Sequence, residues 1–372
     1  MKILITGSKG FVGKNLIVEL KNQGFTDILE YEIDSNPGLL DVYTKECQFV
    51  FHLAGINRPE NKDDYMKGNF GSTTYLLEAL NNNNNKSPIL LSSSIQATLD
   101  NPYGKSKKAG EDIVFKYGQE AGVPIYVYRL PNVFGKWCRP NYNSAVATFC
   151  NNIANDLSIQ VNDPNVQMNL VYIDDVVSSF IEKLSSRKIE SSAFNVYEEI
   201  HPVYSIKLGD IVSLIYEFNE SRSNLLISDM SDGFTKKLYS TYLSYLPKEK
   251  FCYPLKMNVD QRGSFTEFLK SKDRGQVSIN VFKPHKTKGN HWHHTKNEKF
   301  LVVSGKGIIR FRKIDSDEII ERVVSGDELT VVDVPVGYTH NIENIGETDM
   351  VMIIWVNEIF DQNRPDTFFN EV

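Results

Sequence analysis

The sequence predicts two folds in one chain, a doubly wound α/β domain over residues 1–250 followed by an all-β domain over residues 251–372. Before residue 250, short apolar runs alternate with helical patterns, which is typical of a parallel sheet covered by helices. After residue 250, short β-type runs are separated by Gly, Asp and Asn turns, and no long helical pattern interrupts them. That second pattern indicates a small β-sandwich or barrel.

The elements of the first domain follow from its apolar runs. Runs of this kind suit buried parallel strands, and they lie at residues 3–6, 49–53, 89–92 and 125–130. Helical patterns are predicted at residues 65–80, 103–121 and 206–218, and a polar stretch without a clear period follows the last one. In the second domain, strands are predicted at residues 277–282, 300–303, 307–312, 329–334 and 350–356.

Composition excludes several classes of protein. The 372 residues carry a net charge of -6, which gives no reason to expect nucleic acid or an anionic membrane as a partner. No apolar run approaches the roughly 18 residues of a membrane span. Met1 leads straight into an apolar strand, which leaves no room for a signal peptide. The four cysteines lie far apart without a CxxC pair, so we expect reduced thiols in a cytoplasmic protein.

A glycine-rich turn follows the first predicted strand. Gly7, Gly10 and Gly13 form GxxGxxG, which lets a backbone turn approach a pyrophosphate at a helix N-terminus. A glycine-rich turn between a strand and a helix often binds no nucleotide, so this motif alone is weak evidence for a cofactor site. The sequence HLAG at residues 52–55 supports it by ending a later strand where a nucleotide cofactor would lie. We interpret His52 as a satisfied, half-buried histidine without a catalytic role.

Two carboxylates lie near the end of the second predicted strand. Glu32 and Asp34 come about 20 residues after the glycines, where an acidic group normally binds the adenosine ribose and repels a 2′-phosphate. This position favours NAD over NADP. The alternative is that both carboxylates simply face solvent.

Tyr103 and Lys107 form YxxxK on a predicted helix and therefore share one face. A free phenol has a pKa of about 10 and is a poor proton shuttle at neutral pH. A lysine ammonium one turn away favours the phenolate and brings the proton into a usable range. The preceding strand ends in LLSSSIQAT, whose hydroxyls could bind a substrate carbonyl or could only satisfy backbone groups.

Together, TGSKGFVG, HLAG, LLSSS, YGKSK and RLPNVFG resemble the extended short-chain dehydrogenase/reductase family over residues 1–250. The resemblance implies that Tyr103 is the proton donor and that Lys107 lowers its pKa and holds the nicotinamide ribose. Ser94 is the predicted carbonyl-orienting hydroxyl. It lies only nine residues before Tyr103, which is shorter than in most relatives, so Ser93 or Thr98 could hold that role instead.

The same resemblance implies the remaining contacts of this domain. The predicted cofactor-binding residues are Gly7, Gly10, Phe11, Val12, Gly13, Leu53, Ala54, Gly55 and Lys107. Arg58 and Asn132 are predicted to bind the substrate. Sugar-nucleotide dehydratases of the family carry acidic residues just after the catalytic hydroxyl, and SSSIQAT has none. We therefore expect a plain reductase or oxidase.

The stretch GNHWHHTKNEKFLVVSGKG carries a candidate metal site. His291 and His293 alternate and share a face on a strand, whereas His294 points away. Glu298 follows, and His340 lies further on in PVGYTHNIEN. Three histidines and one glutamate supply ligands that suit zinc, or manganese, iron or nickel. We predict zinc because no redox step is required.

These two motifs resemble those of the cupin barrels over about residues 255–360, which implies a jelly-roll fold. Leu329 replaces an expected glycine and leaves the metal ligands untouched. The stretch DQRGSFTEF resembles the opening of the cupin-fold 3,5-epimerases that act on nucleotide-linked keto-sugars. In those enzymes the arginine contacts the nucleotide, which makes Arg262 a candidate substrate ligand. The alternative is a surface turn with a solvated arginine.

Both halves in this order resemble the CapF-type bifunctional enzymes of bacterial capsule synthesis, through NPYGKSK, GKWCRPNYNS and the histidine stretch. The resemblance implies a homodimer acting on a UDP-linked 2-acetamido-2,6-dideoxy-L-hexos-4-ulose. The cupin domain epimerises C3, and the reductase domain then reduces the C4 ketone with NADPH. The product is a UDP-N-acetyl-L-talosamine-type sugar on the route to UDP-N-acetyl-L-fucosamine. NADH remains possible because of Glu32 and Asp34.

The chemistry explains why both activities share one chain. A proton at C3 is acidic only while C4 is a ketone, so epimerisation must precede reduction. His294 and Tyr338 are nearby candidates for the base, and the metal could act on the C4 carbonyl or only hold strands together. One alternative is a single-activity reductase whose cupin binds sugar or dimerises. Another is a non-catalytic sensor, against which Tyr103 and Lys107 argue.

Overall fold

The computed structural model describes residues 1–185 and 195–372. These residues form two compact units, of which the first comprises residues 1–215 and 236–247 and the second residues 216–235 and 248–372. Among the described residues, we find no helix with both the length and the apolar character that a membrane span needs. All four cysteines are free, as predicted.

The first unit is built on a six-stranded sheet in which all neighbouring strands are parallel. The strands of this unit are β1 (Ile3–Thr6), β2 (Ile28–Tyr31), β3 (Phe49–His52), β4 (Ile89–Ser94), β5 (Ile125–Leu130), β6 (Asn132–Phe134), β7 (Gln167–Tyr172), β8 (Asn195–Glu198) and β9 (Tyr204–Lys207). The large sheet has the order β2-β1-β3-β4-β5-β8, and β6, β7 and β9 form a small second sheet. The strand order reverses between β1 and β3, where open α/β sheets bind their ligands.

Eight α-helices accompany these strands among the described residues. They are α1 (Phe11–Asn22), α2 (Pro37–Glu46), α3 (Ser72–Asn82), α4 (Pro102–Ala121), α5 (Ala145–Ala154), α6 (Ile173–Ser185), α7 (Leu208–Asn224) and α8 (Gly233–Leu243). Helix α4 begins sharply because the Asn101 side chain accepts a 2.7 Å hydrogen bond from Gly104 N and Pro102 occupies the first turn. It ends at Gly122, whose φ of 66° is the left-handed conformation that glycine adopts readily.

Both faces of the large sheet are buried. Ile3 and Ile5 of β1 pack with α1 and α6, whereas Leu4 between them packs with α2, α3 and α4. Successive strand residues point to opposite faces, so a strand covered on both sides needs an apolar residue at every position. This explains the continuous apolar runs and confirms the predicted doubly wound domain.

Some elements of the first unit differ from the prediction. Strand β4 continues two residues further, to Ser94, and the predicted helix over residues 65–80 begins as a π-helical turn at Met66–Gly71. Helix α8 occupies part of the polar stretch for which no period was expected. Helix α8 is stabilised by the burial of a few residues, including Phe234 and Leu238. The local pattern of apolar and polar residues does not reveal this contribution.

The second unit is an antiparallel β-sandwich. Its strands are β10 (Met257–Asp260), β11 (Gly263–Ser271), β12 (Gly275–Phe282), β13 (Thr287–Trp292), β14 (Glu298–Ser304), β15 (Lys306–Lys313), β16 (Ile319–Ser325), β17 (Val331–Val334), β18 (Tyr338–Asn344), β19 (Met350–Val356) and β20 (Phe368–Phe369). They form two sheets, β10-β11-β12-β19-β14-β17 and β16-β15-β18-β13-β20. Apolar residues of both sheets, such as Phe282, Ile309 and Met352, form one core. This confirms the predicted all-β domain of the cupin type.

Candidate active site and candidate metal centre

The glycine turn at the end of β1 packs directly against the segment that follows β3. Gly7 has a φ of 74°, and a Cβ added there would lie 2.7 Å from Ala54 N. A Cβ on Gly13 would lie 2.3 Å from Gly7 O, so α1 can approach the turn only because this residue is glycine. No side chain caps the N-terminus of α1. Its free N–H groups can therefore bind a pyrophosphate.

The other residues predicted to bind the cofactor surround this turn. Phe11, Val12 and Leu53 are half-buried and pack against the core of the unit, so they support the turn through their side chains. Gly55 lies next to the tyrosine–lysine helix, because a Cβ on it would be 3.5 Å from Lys107 Nζ. The structure thus brings the predicted cofactor-binding residues together at the carboxyl edge of the sheet.

The two carboxylates after β2 have different environments. Glu32 accepts a 3.2 Å hydrogen bond from Ser8 Oγ and a second one from Lys9 N, so its carboxylate points at the glycine turn. Asp34 is exposed and pairs with Lys9 Nζ at 2.8 Å. Glu32 therefore lies where a ribose hydroxyl would bind, and Lys9 places a positive charge beside it.

Lys107 is buried on α4, one turn after Tyr103. Its Nζ atom donates a 2.8 Å hydrogen bond to the backbone oxygen of Ser92, and burial lowers its pKa to about 8. The Tyr103 hydroxyl donates to Asn57 Oδ1 at 3.3 Å. Burial raises the pKa of Tyr103, and a hydrogen bond with Ser94 opposes that shift. The phenol is thus protonated at neutral pH and has Ser94 beside it.

The three hydroxyls considered for the carbonyl-orienting role differ in their contacts. Ser93 Oγ is buried and donates a 2.5 Å hydrogen bond to Glu111 Oε1. Thr98 Oγ1 donates to the backbone oxygen of Ile95 at 2.9 Å. Ser94 Oγ accepts a 3.2 Å hydrogen bond from Gln96 N, and its interaction with the Tyr103 hydroxyl opposes the rise in the pKa of Tyr103 that burial causes. Of the three hydroxyls, Ser94 is therefore the one that we associate with Tyr103.

His52 is fully enclosed at the end of β3. Hydrogen bonds of 2.6 Å and 2.9 Å join its two ring nitrogens to the hydroxyls of Thr6 and Thr73. Burial lowers its pKa to about 3, and the charge of Lys107 adds to that effect. His52 is a neutral, satisfied residue, which agrees with the interpretation from sequence, although it is more deeply buried than expected.

Sequence reasoning missed two buried polar residues beside the tyrosine–lysine pair. Asn69 Nδ2 donates to Ser106 Oγ at 2.9 Å, and its Oδ1 accepts from Ile56 N at 3.0 Å. Glu111 is fully buried and binds the Arg129 guanidinium at 2.6 Å. The spacing could have indicated Glu111, since it lies four residues after Lys107 on the same helical face.

The residues predicted to bind substrate lie at exposed positions. Arg58 is exposed on the segment that follows β3. Asn132 is exposed at the start of β6, and its Nδ2 donates to Asn169 O at 3.3 Å. In the second unit, Arg262 pairs with Asp260 at 2.6 Å and lines a cavity of about 600 Å³ together with Lys288.

Four predicted metal ligands converge in the second unit. His291 on β13 and His340 on β18 face each other across neighbouring strands. His293 follows β13, and Glu298 is the first residue of β14 in the other sheet. The candidate ligand atoms of all four lie within 4.8 Å of one another. His294 is exposed, and its ring lies 4.5 Å from that of Trp292, outside the cluster.

These side chains fit a metal ion. His293 Nε2, Glu298 Oε2 and both ring nitrogens of His340 are buried without a well-aligned hydrogen bond among the described residues, although His340 Nε2 lies 3.2 Å from Glu298 Oε2. Unsatisfied buried polar atoms are costly unless another group binds them. Burial lowers the pKa of His291 to about 4, so its imidazole is neutral, as a ligand must be. Three nitrogens and one oxygen form a ligand set that suits zinc.

The fold and the two sites define a nicotinamide-dependent reductase or epimerase unit joined to a cupin-type unit with a metal-ligand cluster. The chain belongs to the NAD dependent epimerase/dehydratase family, whose model matches residues 3–196. Residues 258–368 match the polysaccharide biosynthesis C-terminal domain.

Relatives match over the full length. The chain is 44% identical over 368 residues to UDP-2-acetamido-2,6-beta-L-arabino-hexul-4-ose reductase of Pseudomonas aeruginosa, covering 99% of this chain and 98% of that protein. The crystal structure of the capsular polysaccharide assembling protein CapF from Staphylococcus aureus is 54% identical, with a TM-score of 0.93 and complete coverage of both chains. These matches confirm the resemblance to the CapF-type enzymes.

Proposed function

We propose that this protein reduces the C4 ketone of a UDP-linked 2-acetamido-2,6-dideoxy-L-hexos-4-ulose after epimerising its C3 carbon. The similarity to a named 4-ketose reductase over 98% of that protein's length is the observation that carries this proposal. The contact between Tyr103 and Ser94 at the carboxyl edge of the sheet supports it, because a ketone reductase needs a proton donor and a second hydrogen-bond donor at one oxygen.

In the reduction, the Tyr103 hydroxyl gives its proton to the C4 oxygen. That hydroxyl now donates to Asn57 Oδ1, so the substrate carbonyl takes the place of Asn57 as acceptor. Ser94 donates a hydrogen bond to the same oxygen, and the buried Lys107 ammonium stabilises negative charge developing on the phenol. When bound, the reduced nicotinamide supplies the hydride that C4 receives. The product is a UDP-N-acetyl-L-talosamine-type sugar, on the route to UDP-N-acetyl-L-fucosamine.

The second unit is proposed to exchange the C3 proton before reduction. His291, His293, Glu298 and His340 hold the metal, which we propose to be zinc. When bound, zinc supplies a Lewis acid that polarises a carbonyl oxygen. His294 and Tyr338 remain the candidates for the base.

Arg262 is proposed to bind the substrate in the second unit. It is half-exposed and pairs with Asp260, so an anionic group must compete with that carboxylate. Arg58 and Asn132 are proposed to bind substrate in the first unit, where both side chains are exposed.

We propose NADPH as the cofactor. The resemblance to the CapF-type enzymes supports this choice, and the Lys9 ammonium pairs with Asp34 and offsets its charge. This pair weakens the repulsion that Asp34 exerts on a 2′-phosphate, whereas the Glu32 carboxylate opposes the choice. Equal or higher kcat/KM with NADH would overturn this choice.

We also propose that residues 1–250 form the reductase domain and residues 251–372 the cupin domain of a cytoplasmic homodimer. Sedimentation velocity of the purified chain tests the dimer. A single species with the mass of one chain at micromolar concentration would exclude it.

A second candidate is a reductase with one activity, whose cupin domain only binds sugar or dimerises. The name of the P. aeruginosa relative favours it, since that name gives a reductase activity alone. The two candidates share the same ketone reduction and differ only at C3.

The test is incubation of the purified protein with UDP-4-keto-sugars and NADPH or NADH, followed by NMR assignment of the product. Loss of the reduced nicotinamide and a product with inverted C3 and a C4 hydroxyl support the bifunctional enzyme. A C4 hydroxyl with unchanged C3 supports the single-activity reductase. No consumption of nicotinamide with any of these sugars would reject both.

A further inference from the structure

One carboxylate far along the chain holds the turn that separates two of the metal ligands. Asp366 Oδ1 accepts a 3.0 Å hydrogen bond from His294 N, and its Oδ2 accepts from Thr295 N at 2.9 Å and Lys296 N at 2.8 Å. The Thr295 hydroxyl also donates to Oδ2, at 3.2 Å. Residues 294–296 connect His293 to the strand that begins at Glu298. The carboxylate therefore fixes the path of the chain between these two ligands.

The backbone of the same residue contacts a metal ligand directly. The Nδ1 atom of His293 lies 2.5 Å from the backbone oxygen of Asp366, and a carbonyl oxygen can only accept. Nδ1 must therefore carry the hydrogen, which leaves the lone pair on Nε2 free. Nε2 lies 3.6 Å from Glu298 Oε2, inside the cluster. Metal-binding histidines commonly donate their second nitrogen to such an acceptor.

Asp366 is itself held in an unusual conformation. Its φ is 40°, in the left-handed region that residues with a Cβ enter at a cost and that Asp and Asn tolerate best. Contacts of the two residues that follow keep it there. Lys296 Nζ donates to Thr367 Oγ1 at 3.1 Å, and Phe368 pairs with Trp292 of β13. Residues 366–368 are thus held against strand β13, which carries His291.

We propose that Asp366 is a positioning residue for the metal centre, which sets the ring orientation of His293 and holds the turn leading to Glu298. The proposal rests on the metal site proposed above. A residue of purely structural importance would change the stability of the unit without changing how tightly the folded protein binds zinc. Asp366 should change the affinity and the coordination geometry.

Two substitutions distinguish the role of the Asp366 carboxylate from the need for a residue that tolerates the left-handed backbone conformation. Asp366→Gly keeps the left-handed conformation without strain and removes every side-chain acceptor. Asp366→Asn keeps the backbone preference and one acceptor oxygen. Asp361→Asn is the matched control, because Asp361 also caps a local turn, through a 2.9 Å hydrogen bond from Asn363 N, and it is half-exposed.

The measurement is zinc affinity of the full-length, metal-free protein by competition with a chromophoric chelator, together with the absorption spectrum after loading with Co²⁺. Loss of such a supporting hydrogen bond typically weakens metal affinity by about 10- to 100-fold. Asp366→Gly keeps the backbone oxygen that contacts His293 and removes only the carboxylate that holds residues 294–296, so we expect a loss near the lower end of that range. We expect a smaller loss in Asp366→Asn and none in Asp361→Asn. The Co²⁺ bands of Asp366→Gly should shift. Near-ultraviolet circular dichroism checks the fold, and Asp366→Asn decides the question if Asp366→Gly does not fold.

The outcomes distinguish this proposal from the proposed function. Unchanged zinc affinity and an unchanged Co²⁺ spectrum in the folded variant would overturn the positioning role and leave the function intact. A wild-type protein that binds no zinc would overturn both the metal site and this role. Weakened zinc binding in the variant, together with no C3 exchange in the wild-type protein, would support the role of Asp366 and reject the epimerase.

Discussion

The Lys107 ammonium lies 2.8 Å from the backbone oxygen of Ser92, two residues before Ser94 on β4. This hydrogen bond ties the lysine on α4 to the strand that carries the candidate carbonyl-orienting hydroxyl. Burial lowers the pKa of Lys107 to about 8 from its ordinary value of 10.5. The lysine is therefore charged below about pH 8 and loses its proton as the pH rises through that value.

We predict that kcat/KM for ketone reduction falls as the pH rises through about 8, because this ratio reports ionisations of the free enzyme. The unfolded chain binds more protons than the folded one between pH 8 and 10.5, so this group makes the fold more stable as the pH rises there. Deprotonation of Lys107 therefore does not itself destabilise the fold, and a circular dichroism signal that stays constant over the same pH range would separate lost activity from unfolding. Lys107→Arg keeps its charge and should move the decline to higher pH. The same decline in both proteins would contradict this assignment.

Tyr103→Phe should lower ketone reduction by about 100- to 10,000-fold, the usual contribution of a general acid. Only the proton donor is lost, so the Kd for the nicotinamide should stay nearly unchanged in a fluorescence titration. Asn57→Ala is the companion variant, because the Tyr103 hydroxyl donates to Asn57 without substrate. It should keep most of the activity. Proton exchange at C3 should survive Tyr103→Phe, and its loss would show that one site performs both reactions.

Glu111 should contribute strongly to the stability of the first unit. Its buried carboxylate accepts hydrogen bonds from Ser93, Arg129 and Tyr197, which belong to three neighbouring strands of the sheet. Glu111→Ala should lower the free energy of unfolding by about 3 kcal/mol, near the lower end for a broken buried pair, because Arg129 is partly exposed. Chemical denaturation measures this change.

The control for that experiment is Glu120→Ala on the same helix. Glu120 is exposed and pairs with Lys116 at 3.7 Å, and such surface pairs contribute about 0–1 kcal/mol. Equal effects of the two substitutions would show that the buried network of Glu111 does not stabilise the fold.

Loss of the metal should affect the second unit before it affects nicotinamide chemistry. His291→Ala removes one of four ligands and should lower the zinc content measured by elemental analysis. It should also lower the rate of proton exchange at C3 or the Tm of the cupin unit. An open catalytic site should lose exchange with the fold intact, whereas a closed structural site should lose Tm as well. His294→Ala should retain zinc, because its ring lies outside the cluster. A freshly purified protein without metal would contradict the site.

The sequence predicted the parts of the fold that local patterns determine. The apolar runs of β1, β3, β4 and β5 are visible because both faces of each strand are buried. Strand β16 was not predicted, since several of its residues, including Val323, are exposed and its pattern does not alternate cleanly. Helix α8 is stabilised by tertiary burial of Phe234 and Leu238, which no local period reveals.

The same distinction holds for the sites. The spacing of the motifs was enough to identify His291, His293, Glu298 and His340. Residues at such spacings on neighbouring strands come close together when the strands pair. Asp366 could not be found in this way. It contacts His293 across 73 positions of sequence, and nothing in its local sequence indicates that contact.

The most direct test of the proposed two-step reaction is the fate of hydrogen at C3 and C4 when the wild-type protein turns over a UDP-linked 2-acetamido-2,6-dideoxy-L-hexos-4-ulose with NADPH in D2O. Epimerisation through a C3 carbanion takes its new hydrogen from solvent, whereas the hydrogen added to C4 comes from the nicotinamide. We predict a product with deuterium at C3 and ordinary hydrogen at C4, assigned by NMR and mass spectrometry. A reduced product with no deuterium at C3 would contradict it and leave the single-activity reductase.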